Sequence, residues 1–231
     1  MPLVVRTWNV FHGNAVPPER RAFLREMVEL VTADRPAIVC LQEVPVWAIG
    51  ELAGWSGMAV AAAVAARPRL RSAQLGRRIT DLDHGRFRSA FTGQANAILA
   101  DRPLGDERNV VVSTRGERRV CQVVRAGDLV VCNFHVTGGS EAEPQLARVA
   151  ELVDTLGERV LLAGDANLRP EEGGFYPLLR KRGFSEPLAA SIDQIVVRGA
   201  AATAPFAWPE ERRRAGRRLL SDHAPVELTV G

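Results

Sequence analysis

The sequence contains few cysteines, and their number and positions argue against a disulfide framework. Cys40, Cys121 and Cys132 are odd in number and lie in apolar segments typical of strands, where a reduced cysteine packs as a small hydrophobic side chain. Cys132 and His135 have a spacing compatible with zinc binding, but no second cysteine or histidine pair accompanies them. We therefore expect reduced thiols and no structural zinc.

The sequence also lacks a long hydrophobic segment. Its longest stretch of small apolar residues, 58–66, is far shorter than the about 20 residues that span a bilayer. The N-terminal residues begin a strand pattern directly, without the basic segment and apolar core of a signal peptide. We therefore expect a cytoplasmic protein without stable membrane association.

Lysine is nearly absent, because Lys181 is the only lysine among the 30 basic residues. The net charge is +3 and the isoelectric point is about 9.1, so nearly all of the positive charge is arginine. Arginine binds phosphate through two parallel hydrogen bonds, which suits an anionic substrate. A codon-composition bias, which would also explain the many alanines, accounts for the arginines equally well, so their number alone supports little.

The length of 231 residues and the 46% of hydrophobic residues are sufficient for one large α/β domain. No internal repeat and no long linker divides the chain, and we predict a single domain over residues 1–231. Strand and helix patterns alternate in the first part of the chain, whereas hairpin-like strands follow between residues 95 and 134. This order excludes a purely parallel sheet and favours two mixed sheets packed together with helices outside.

The individual elements follow from hydrophobic periodicity and from the positions of proline and glycine. The predicted helices cover residues 19–31, 45–52, 67–82, 143–156 and 174–181. A turn and strand are predicted over 54–66, an exposed loop over 210–218, and further strands over 3–9, 37–42, 95–99, 109–113, 119–124, 129–134, 160–163, 192–197 and 228–230.

Polar side chains able to bind metal or phosphate stand at the ends of several predicted strands. Residues 160–163 form a buried strand that leads to Asp165 and Asn167. A single residue of this kind most simply caps the next helix. The same pattern recurs, however, and because the start of one strand lies beside the end of its antiparallel neighbour, these side chains are predicted to gather along one edge as a candidate active site. The other residues of the pattern are Asn9, Gln42, Glu43, Asn133, His135, Asp193, Asp222 and His223.

Six separated segments carry this pattern, and together they resemble the endonuclease/exonuclease/phosphatase superfamily with its DNase I-like fold. They are Trp8-Asn9, Gln42-Glu43, Asn133-Phe134-His135, Gly164-Asp165-Ala166-Asn167, Ile192-Asp193-Gln194-Ile195 and Ser221-Asp222-His223-Ala224-Pro225-Val226. The resemblance extends from the first strand to the last. It implies a four-layer α/β/β/α sandwich with two mixed, mainly antiparallel sheets, and hydrolysis of phosphate esters with Mg²⁺, for which Mn²⁺ is a possible substitute.

The resemblance also implies roles for individual residues. Glu43 is the main metal ligand, with Asn9 beside it and Asp222 nearby. Carboxylate and amide oxygens are the ligands that Mg²⁺ prefers, so the residue types agree with this cation. The substrate-binding residues implied are Asn96, at the rim of the site, and Arg119.

The implied catalytic residues surround the scissile phosphate. Asp165 orients and deprotonates the attacking water, and Asn167 holds phosphate or water. His223 pairs with Asp193 and contacts the phosphate, while His135 donates to a phosphate oxygen. Such donors stabilise the negative charge that builds up on phosphate oxygens during hydrolysis.

Two further histidines have no assigned catalytic role. His12 has a counterpart in the family, but a purely structural place in the turn after the first strand explains it equally well. His84 matches no position of the family and is expected to be exposed to solvent.

The leading functional hypothesis is a nuclease-like phosphodiesterase that acts on nucleic acid, because arginines are frequent in residues 67–78 and 212–218. A solvated face of an amphipathic helix is the alternative explanation for the first of these segments. The alternative function is a phosphatase or phosphodiesterase acting on small phosphorylated metabolites or lipid headgroups. A remote alternative is a non-catalytic binding module of the same fold, whose sign would be the loss of Glu43, Asp165 or His223; all three are present.

Overall fold

The computed structural model describes residues 2–68, 72–82 and 91–231. Arg69, Arg71 and His84 lie outside the described residues, so the expectations for these three side chains stay predictions. No helix in the described ranges is long and apolar enough to cross a membrane.

Two sheets form the centre of the fold. The first has the order β11-β14-β1-β3-β5-β4 and the second has the order β10-β9-β8-β7-β6, while β12, β13 and β2 form a small third sheet. The β1–β3 and β8–β9 pairs are parallel, and the other pairs of described strands are antiparallel. The strands are β1 (Leu3–Asn9), β2 (Ala15–Val16), β3 (Ile38–Val44), β4 (Ala59–Ala66), β5 (Gln94–Ala100), β6 (Leu104–Ser113), β7 (Arg119–Ala126), β8 (Leu129–His135), β9 (Val160–Asp165), β10 (Asp193–Arg198), β11 (Phe206–Ala207), β12 (Arg214–Ala215), β13 (Arg218–Leu220) and β14 (Val226–Val230).

Helices cover the outer face of each large sheet. Helices α1 (Leu24–Thr32) and α2 (Leu52–Ser56) share a buried cluster with side chains of the first sheet. Helices α4 (Ala142–Asp154) and α5 (Phe175–Lys181) share another with the second sheet. Helix α3 (Ala73–Leu82) lies beside the short helical turn at Trp47, whose indole nitrogen donates to Thr80 at 2.9 Å.

A third buried cluster joins the two sheets face to face. It contains Val5, Ile38 and Ile98 from the first sheet and Val131, Leu161 and Val197 from the second. Each such side chain contributes roughly 1.5–3 kcal/mol when it is fully buried. The layers therefore follow the order α/β/β/α, and the predicted four-layer sandwich with mixed sheets is confirmed.

A buried polar layer also connects the sheets. Gln42 Nε2 donates to Thr7 Oγ1 at 2.9 Å and to Asn133 Oδ1 at 2.8 Å. Asn133 Nδ2 donates in turn to the carbonyl oxygens of Leu41 and Ala97, at 2.9 and 3.0 Å. Because buried amides are costly unless they are hydrogen-bonded, this network fixes how the ends of β3 and β8 face each other.

Several predicted elements differ in extent from the observed ones: residues 67–68 of the predicted helix 67–82 are not helical, and the predicted turn at residue 54 lies in α2. Two further differences have a clear physical reason. Helix α1 begins at Leu24 and not at residue 19, because the backbone N–H groups of Ala22 and Phe23 donate to the Asp81 carboxylate and to Gly13 O instead of to carbonyl oxygens one turn earlier. Residues 210–218, predicted as an exposed loop, form a short helical turn followed by β12 and part of β13. Arg213 in this segment is buried, because its guanidinium bonds to backbone carbonyls.

Candidate active site

The site lies at one edge of the two sheets, where the strand order brings polar residues together. In the second sheet, His135 pairs with Asp165 across the parallel β8–β9 ladder, and Asp165 pairs with Asp193 across the antiparallel β9–β10 ladder. Three predicted site residues therefore stand side by side. In the first sheet, Asn9 and Gln42 are paired at the ends of β1 and β3.

Glu43 is presented to the site by an irregularity in β3. The pairing of β3 with β5 shifts register between Leu41 and Val44, and Glu43 has a left-handed backbone conformation with φ of 55°. Bulges of this kind re-aim a side chain, and a non-glycine residue in this conformation is more often found at functional sites. The Glu43 side chain is 19% exposed, and its Oε2 lies 3.4 Å from His12 Nε2.

Asn9 links the acidic residues of the two sheets. Its Nδ2 donates to Asp165 Oδ2 at 2.9 Å and lies 3.3 Å from Glu43 Oε1. Its Oδ1 accepts a hydrogen bond from the backbone N–H of Phe11 at 3.0 Å, which fixes the orientation of the amide. Asn9 therefore turns its nitrogen to both carboxylates in this structure, and its role as a metal ligand stays a prediction.

Asp165 is the most deeply buried carboxylate of the site, with 1% of the residue exposed. Burial, and then the charge of Asp193, raise the pKa of Asp165 to about 7, against the opposing effects of His223 and of hydrogen bonds from Asn9 and Asn167. A group with a pKa near neutrality can accept and release a proton readily. The neighbouring Gly164 allows the tight strand pairing here, because a Cβ would overlap the carbonyl oxygen of Phe134.

His223 and Asp193 form a close pair. His223 Nδ1 lies 2.7 Å from Asp193 Oδ2 and 4.0 Å from Asp165 Oδ2. Burial disfavours the imidazolium, but the hydrogen bond and the charge of Asp193 outweigh it and raise the pKa of His223 to about 10. His223 is therefore a cation at neutral pH, with Nδ1 bonded to Asp193, while Nε2 lies 3.9 Å from Asp222 Oδ1 and can donate to a second acceptor.

His135 is buried between Arg119 and the carboxylates. Arg119 Nη1 donates to His135 Nδ1 at 2.9 Å, and His135 Nε2 lies 3.5 Å from Asp165 Oδ2. Burial, followed by the positive charges of Arg119, His223 and His12, lowers the pKa of His135 well below its usual value. His135 is therefore neutral, and because Nδ1 accepts from Arg119, its proton lies on Nε2.

The two predicted substrate-binding residues occupy different environments. Arg119 is buried next to His135, and its Nη2 also donates to Glu117 at 2.9 Å. Asn96 is 2% exposed, and its amide donates to the carbonyl oxygens of Val120 and Asn133, at 3.1 and 3.4 Å. Asn96 thus lies between the sheets and not at the rim, because strand β5 is an inner strand of the first sheet.

Asn167 is held by contacts with the second sheet. Its backbone N–H donates to Asp165 Oδ1 at 2.9 Å, and its side-chain Nδ2 donates to the carbonyl oxygen of Val136 at the same distance. Asn167 has φ of 46°, a second left-handed position in the site. The backbone of Asn167 is thus tied to Asp165 and its side chain to Val136, and its contact with phosphate or water stays a prediction.

Several supporting residues had no role in the predictions. Arg213 Nη1 donates to the carbonyl oxygens of Leu220, Ser221 and His223, at 3.2, 2.9 and 3.3 Å. Trp8 Nε1 donates to His223 O at 2.9 Å, and Ser221 Oγ donates to Asn9 O at 2.7 Å. Trp8 and Ser221 could have been inferred from their positions beside the motifs, whereas no signal distinguished Arg213 from the other arginines of its segment.

The carboxylates offer two groupings for a cation. Oxygen and nitrogen atoms of Asp165, Asp193 and His223 lie within 4.8 Å of one another. His223, however, is protonated and bonded to Asp193, so it is a poor ligand. Burial raises the pKa of Asp222, and the negative charge of Glu43 adds to this shift against the opposing charge of His223. Two partly exposed carboxylates that repel each other fit a hard divalent cation.

The match to a known family follows from comparison of the whole chain. The model of the Endonuclease/Exonuclease/phosphatase family matches residues 7–223. The chain belongs to this family. The predicted resemblance is thereby confirmed, and membership supports a phosphoester hydrolase. Members of the family commonly use divalent metals. No curated protein sequence matches the chain significantly.

Solved structures of family members share the fold at low sequence identity. An endonuclease/exonuclease/phosphatase from Beutenbergia cavernae is 16% identical over 99% of this chain and 71% of its own, with a TM-score of 0.71. A mannosyl-6-phosphatase from Bacteroides thetaiotaomicron is 15% identical over 99% of both chains, with a TM-score of 0.67. TDP2 from Caenorhabditis elegans is 16% identical over 100% of this chain and 74% of its own, with a TM-score of 0.63.

Proposed function

We propose that the protein is a divalent-metal-dependent phosphodiesterase that hydrolyses phosphodiester bonds with an activated water, with nucleic acid as the preferred substrate class. The observation that carries this proposal is the arrangement of a carboxyl group whose pKa is about 7, Asp165, beside an imidazolium whose pKa is about 10, His223. One group can take a proton from water while the other stabilises negative charge at the same pH.

Asp165 is the proposed general base. Its Oδ1 accepts from the backbone of Asn167 and its Oδ2 from Asn9, so the carboxylate has a fixed orientation. The raised pKa improves its strength as a base relative to an ordinary aspartate. Asn167 is the proposed contact for phosphate or water next to it.

The proposed charge stabilisers are the two histidines. His223, held by Asp193 through Nδ1, can donate from Nε2 to a phosphate oxygen. His135, neutral and protonated on Nε2, provides a second donor, and Arg119 fixes its tautomer. Donors that are oriented before reaction stabilise the charge of the transition state without reorganisation.

Glu43 and Asp222 are the residues proposed to hold Mg²⁺ or Mn²⁺. A bound divalent cation would neutralise charge on the phosphate and favour attack by water. Asn9 is proposed to hold Glu43 and Asp165 in place, as its two hydrogen bonds indicate.

A second candidate is a phosphatase or phosphodiesterase acting on small phosphorylated metabolites or lipid headgroups. It is favoured by the internal contacts of the arginines in residues 212–218, which weaken the argument for nucleic acid at that segment. Arg212 stacks on Trp208 at 3.5 Å, Arg213 binds backbone carbonyls, Arg214 pairs with Glu210 at 2.7 Å, and Arg218 lies 3.4 Å from Glu19.

A substrate panel distinguishes the two candidates. The purified protein is assayed with Mg²⁺ against bis-p-nitrophenyl phosphate, single- and double-stranded DNA, RNA, abasic DNA, sugar phosphates and phosphoinositides. We expect hydrolysis of the diesters, loss of activity in Asp165→Asn, and normal activity in the matched control Asp128→Asn, whose carboxylate is exposed. Hydrolysis of monoesters alone would contradict the proposal and establish the second candidate.

A further inference from the structure

A cavity of about 200 Å³ lies next to the candidate active site on the side of Arg119. It is bounded by the end of β6, the turn between β6 and β7, and the first turns of α4. Its polar lining consists of Ser113, Thr114, Arg115, Glu141, Gln145 and Arg148.

Arg119 does not line the cavity itself, but it connects residues of the cavity lining to the site. Ser113, which lines the cavity, is the direct partner of Arg119 in the β6–β7 ladder, and neighbouring strands are about 4.8 Å apart. On the other side, Arg119 Nη1 contacts His135. Arg119 Nε donates to Thr137 Oγ1 at 3.2 Å, and the backbone N–H of Thr137 donates to Gln145 Oε1 at 2.9 Å. The cavity is therefore one strand away from the proposed phosphate donors.

The cavity lining has more positive than negative side chains. Among the described residues, neither Arg115 nor Arg148 has a carboxylate partner, in contrast to Arg119, which pairs with Glu117. Arg148 is held in place by a bond from Nη1 to Val112 O at 3.1 Å. The one carboxylate of the lining is Glu141. Two arginines without carboxylate partners among the described residues, next to one acid, form a site that attracts anions.

Gln145 adds an unused donor to this lining. The residue is 3% exposed, its Oε1 is occupied by Thr137, and its Nε2 has no acceptor within the described ranges. A buried donor without an acceptor is costly, so such a group is informative about the ligand that a site takes. Phosphate oxygens are acceptors suited to both amide and guanidinium donors.

We propose that this cavity binds a second phosphate of the substrate, adjacent to the phosphate that is hydrolysed. The proposal rests on the proposed function and makes it more specific, because the substrate then carries at least two phosphates in sequence. A nucleotide chain and a bisphosphorylated small molecule both have this chemistry.

The kinetic experiment compares substrates that differ by one phosphate. The pair is thymidine 5′-(4-nitrophenyl phosphate) and its 3′-phosphorylated form, assayed with the wild type and with Arg115→Ala/Arg148→Ala. We expect the double variant to raise KM about tenfold for the two-phosphate substrate only, with kcat unchanged, as is reasonable for the loss of charge-assisted hydrogen bonds. Both arginines are exposed, so folding is expected to be unaffected. Arg217→Ala, an exposed arginine of another segment, is the matched control and should change neither KM. An equal change for both substrates would overturn the proposal.

A binding experiment separates this proposal from the proposed function. Calorimetry with thymidine 3′,5′-bisphosphate and with thymidine 5′-monophosphate requires no turnover. We expect tighter binding of the bisphosphate by the wild type, weaker binding by the double variant, and tighter binding by Glu141→Gln, which removes the acid of the cavity. Equal affinity for the two nucleotides would overturn the second phosphate site, whereas correct binding without any hydrolysis would overturn only the proposed function.

Inositol phosphates distinguish the two possible sources of the second phosphate. The competitors are inositol 1-phosphate and inositol 1,4-bisphosphate, tested against the two-phosphate thymidine substrate. If inositol 1,4-bisphosphate inhibits at lower concentrations than thymidine 3′,5′-bisphosphate does, the substrate is a small molecule. The reverse order supports a nucleotide chain.

Discussion

At the scale of single residues, the candidate site depends on two ionisable groups whose pKa values are both raised above their usual values. Asp165 is buried beside a second carboxylate and titrates near pH 7, whereas His223 is bonded to Asp193 and keeps its proton to about pH 10. The base must be ionised and the imidazolium protonated. Activity should therefore rise through pH 7 and fall through pH 10.

The first prediction concerns Asp193→Asn. The variant removes the negative charge that outweighs the burial of His223, so the pKa of His223 should fall by more than about one unit. It also removes a charge that raises the pKa of Asp165. Both limbs of the pH profile of kcat should therefore move to lower pH, with the larger movement on the basic limb. The pH dependence of kcat and an NMR titration of the histidine measure the two shifts. An unchanged basic limb would show that Asp193 does not set the pKa of His223.

The second prediction concerns the combined effect of Asp165 and His223. Because the two groups act in one transition state, Asp165→Asn and His223→Ala should each lower kcat on a diester by on the order of 10² or more. The double variant should be little worse than the poorer single variant. Additive losses, in folded protein with normal metal affinity, would show that the two residues serve different steps.

At the scale of elements, residues 210–223 show how a surface segment can determine the geometry of a site. The short helical turn that ends at Arg213 returns through β12 and β13 to Ser221, which has a left-handed backbone with φ of 64°. Arg213 and Trp8 both donate to the carbonyl oxygen of His223. The imidazole is therefore positioned from two separate parts of the chain.

The third prediction is that Arg213→Ala lowers kcat by on the order of tenfold or more while KM changes little, because a small displacement of His223 weakens a contact made in the transition state. Arg213→Lys should restore part of kcat, since it keeps a buried donor. Arg214→Ala, whose guanidinium is exposed and pairs with Glu210, is the matched control. A rise in KM at constant kcat would instead indicate that Arg213 touches the substrate.

At the scale of the whole molecule, the part of the site on the second sheet could be predicted because it follows from strand order. Asp165 and Asp193 meet since the end of one strand faces the start of its antiparallel partner. The interior position of Asn96 could not be predicted, because its amide bonds to a carbonyl 37 positions away on another sheet. Arg213 is a similar case. Periodicity reports which face of an element is apolar, but not which distant backbone group a polar side chain meets.

The repulsion between Glu43 and Asp222 also depends on the whole fold. Glu43 lies in strand β3 and Asp222 lies in the segment before β14, far apart in the sequence. A cation that binds both should stabilise the folded state by a free energy that depends on its concentration. At 100 times the dissociation constant, this stabilisation is about 2.7 kcal/mol. Metal binding should therefore be visible in thermal unfolding without any substrate.

The fourth prediction is that Mg²⁺ raises the Tm of the wild type and not that of Glu43→Gln. Without metal, the variant should be at least as stable as the wild type, because replacing Glu43 removes a negative charge that repels Asp222. Glu172→Gln provides the control, since it neutralises a carboxylate in the turn at residues 170–172 that accepts a hydrogen bond from the backbone of Arg169. Its response to Mg²⁺ should match that of the wild type. An equal rise of Tm in Glu43→Gln would mean that the cation binds elsewhere. The same Mg²⁺ titration of Asp193→Asn would then test the grouping of Asp165, Asp193 and His223 as the cation site.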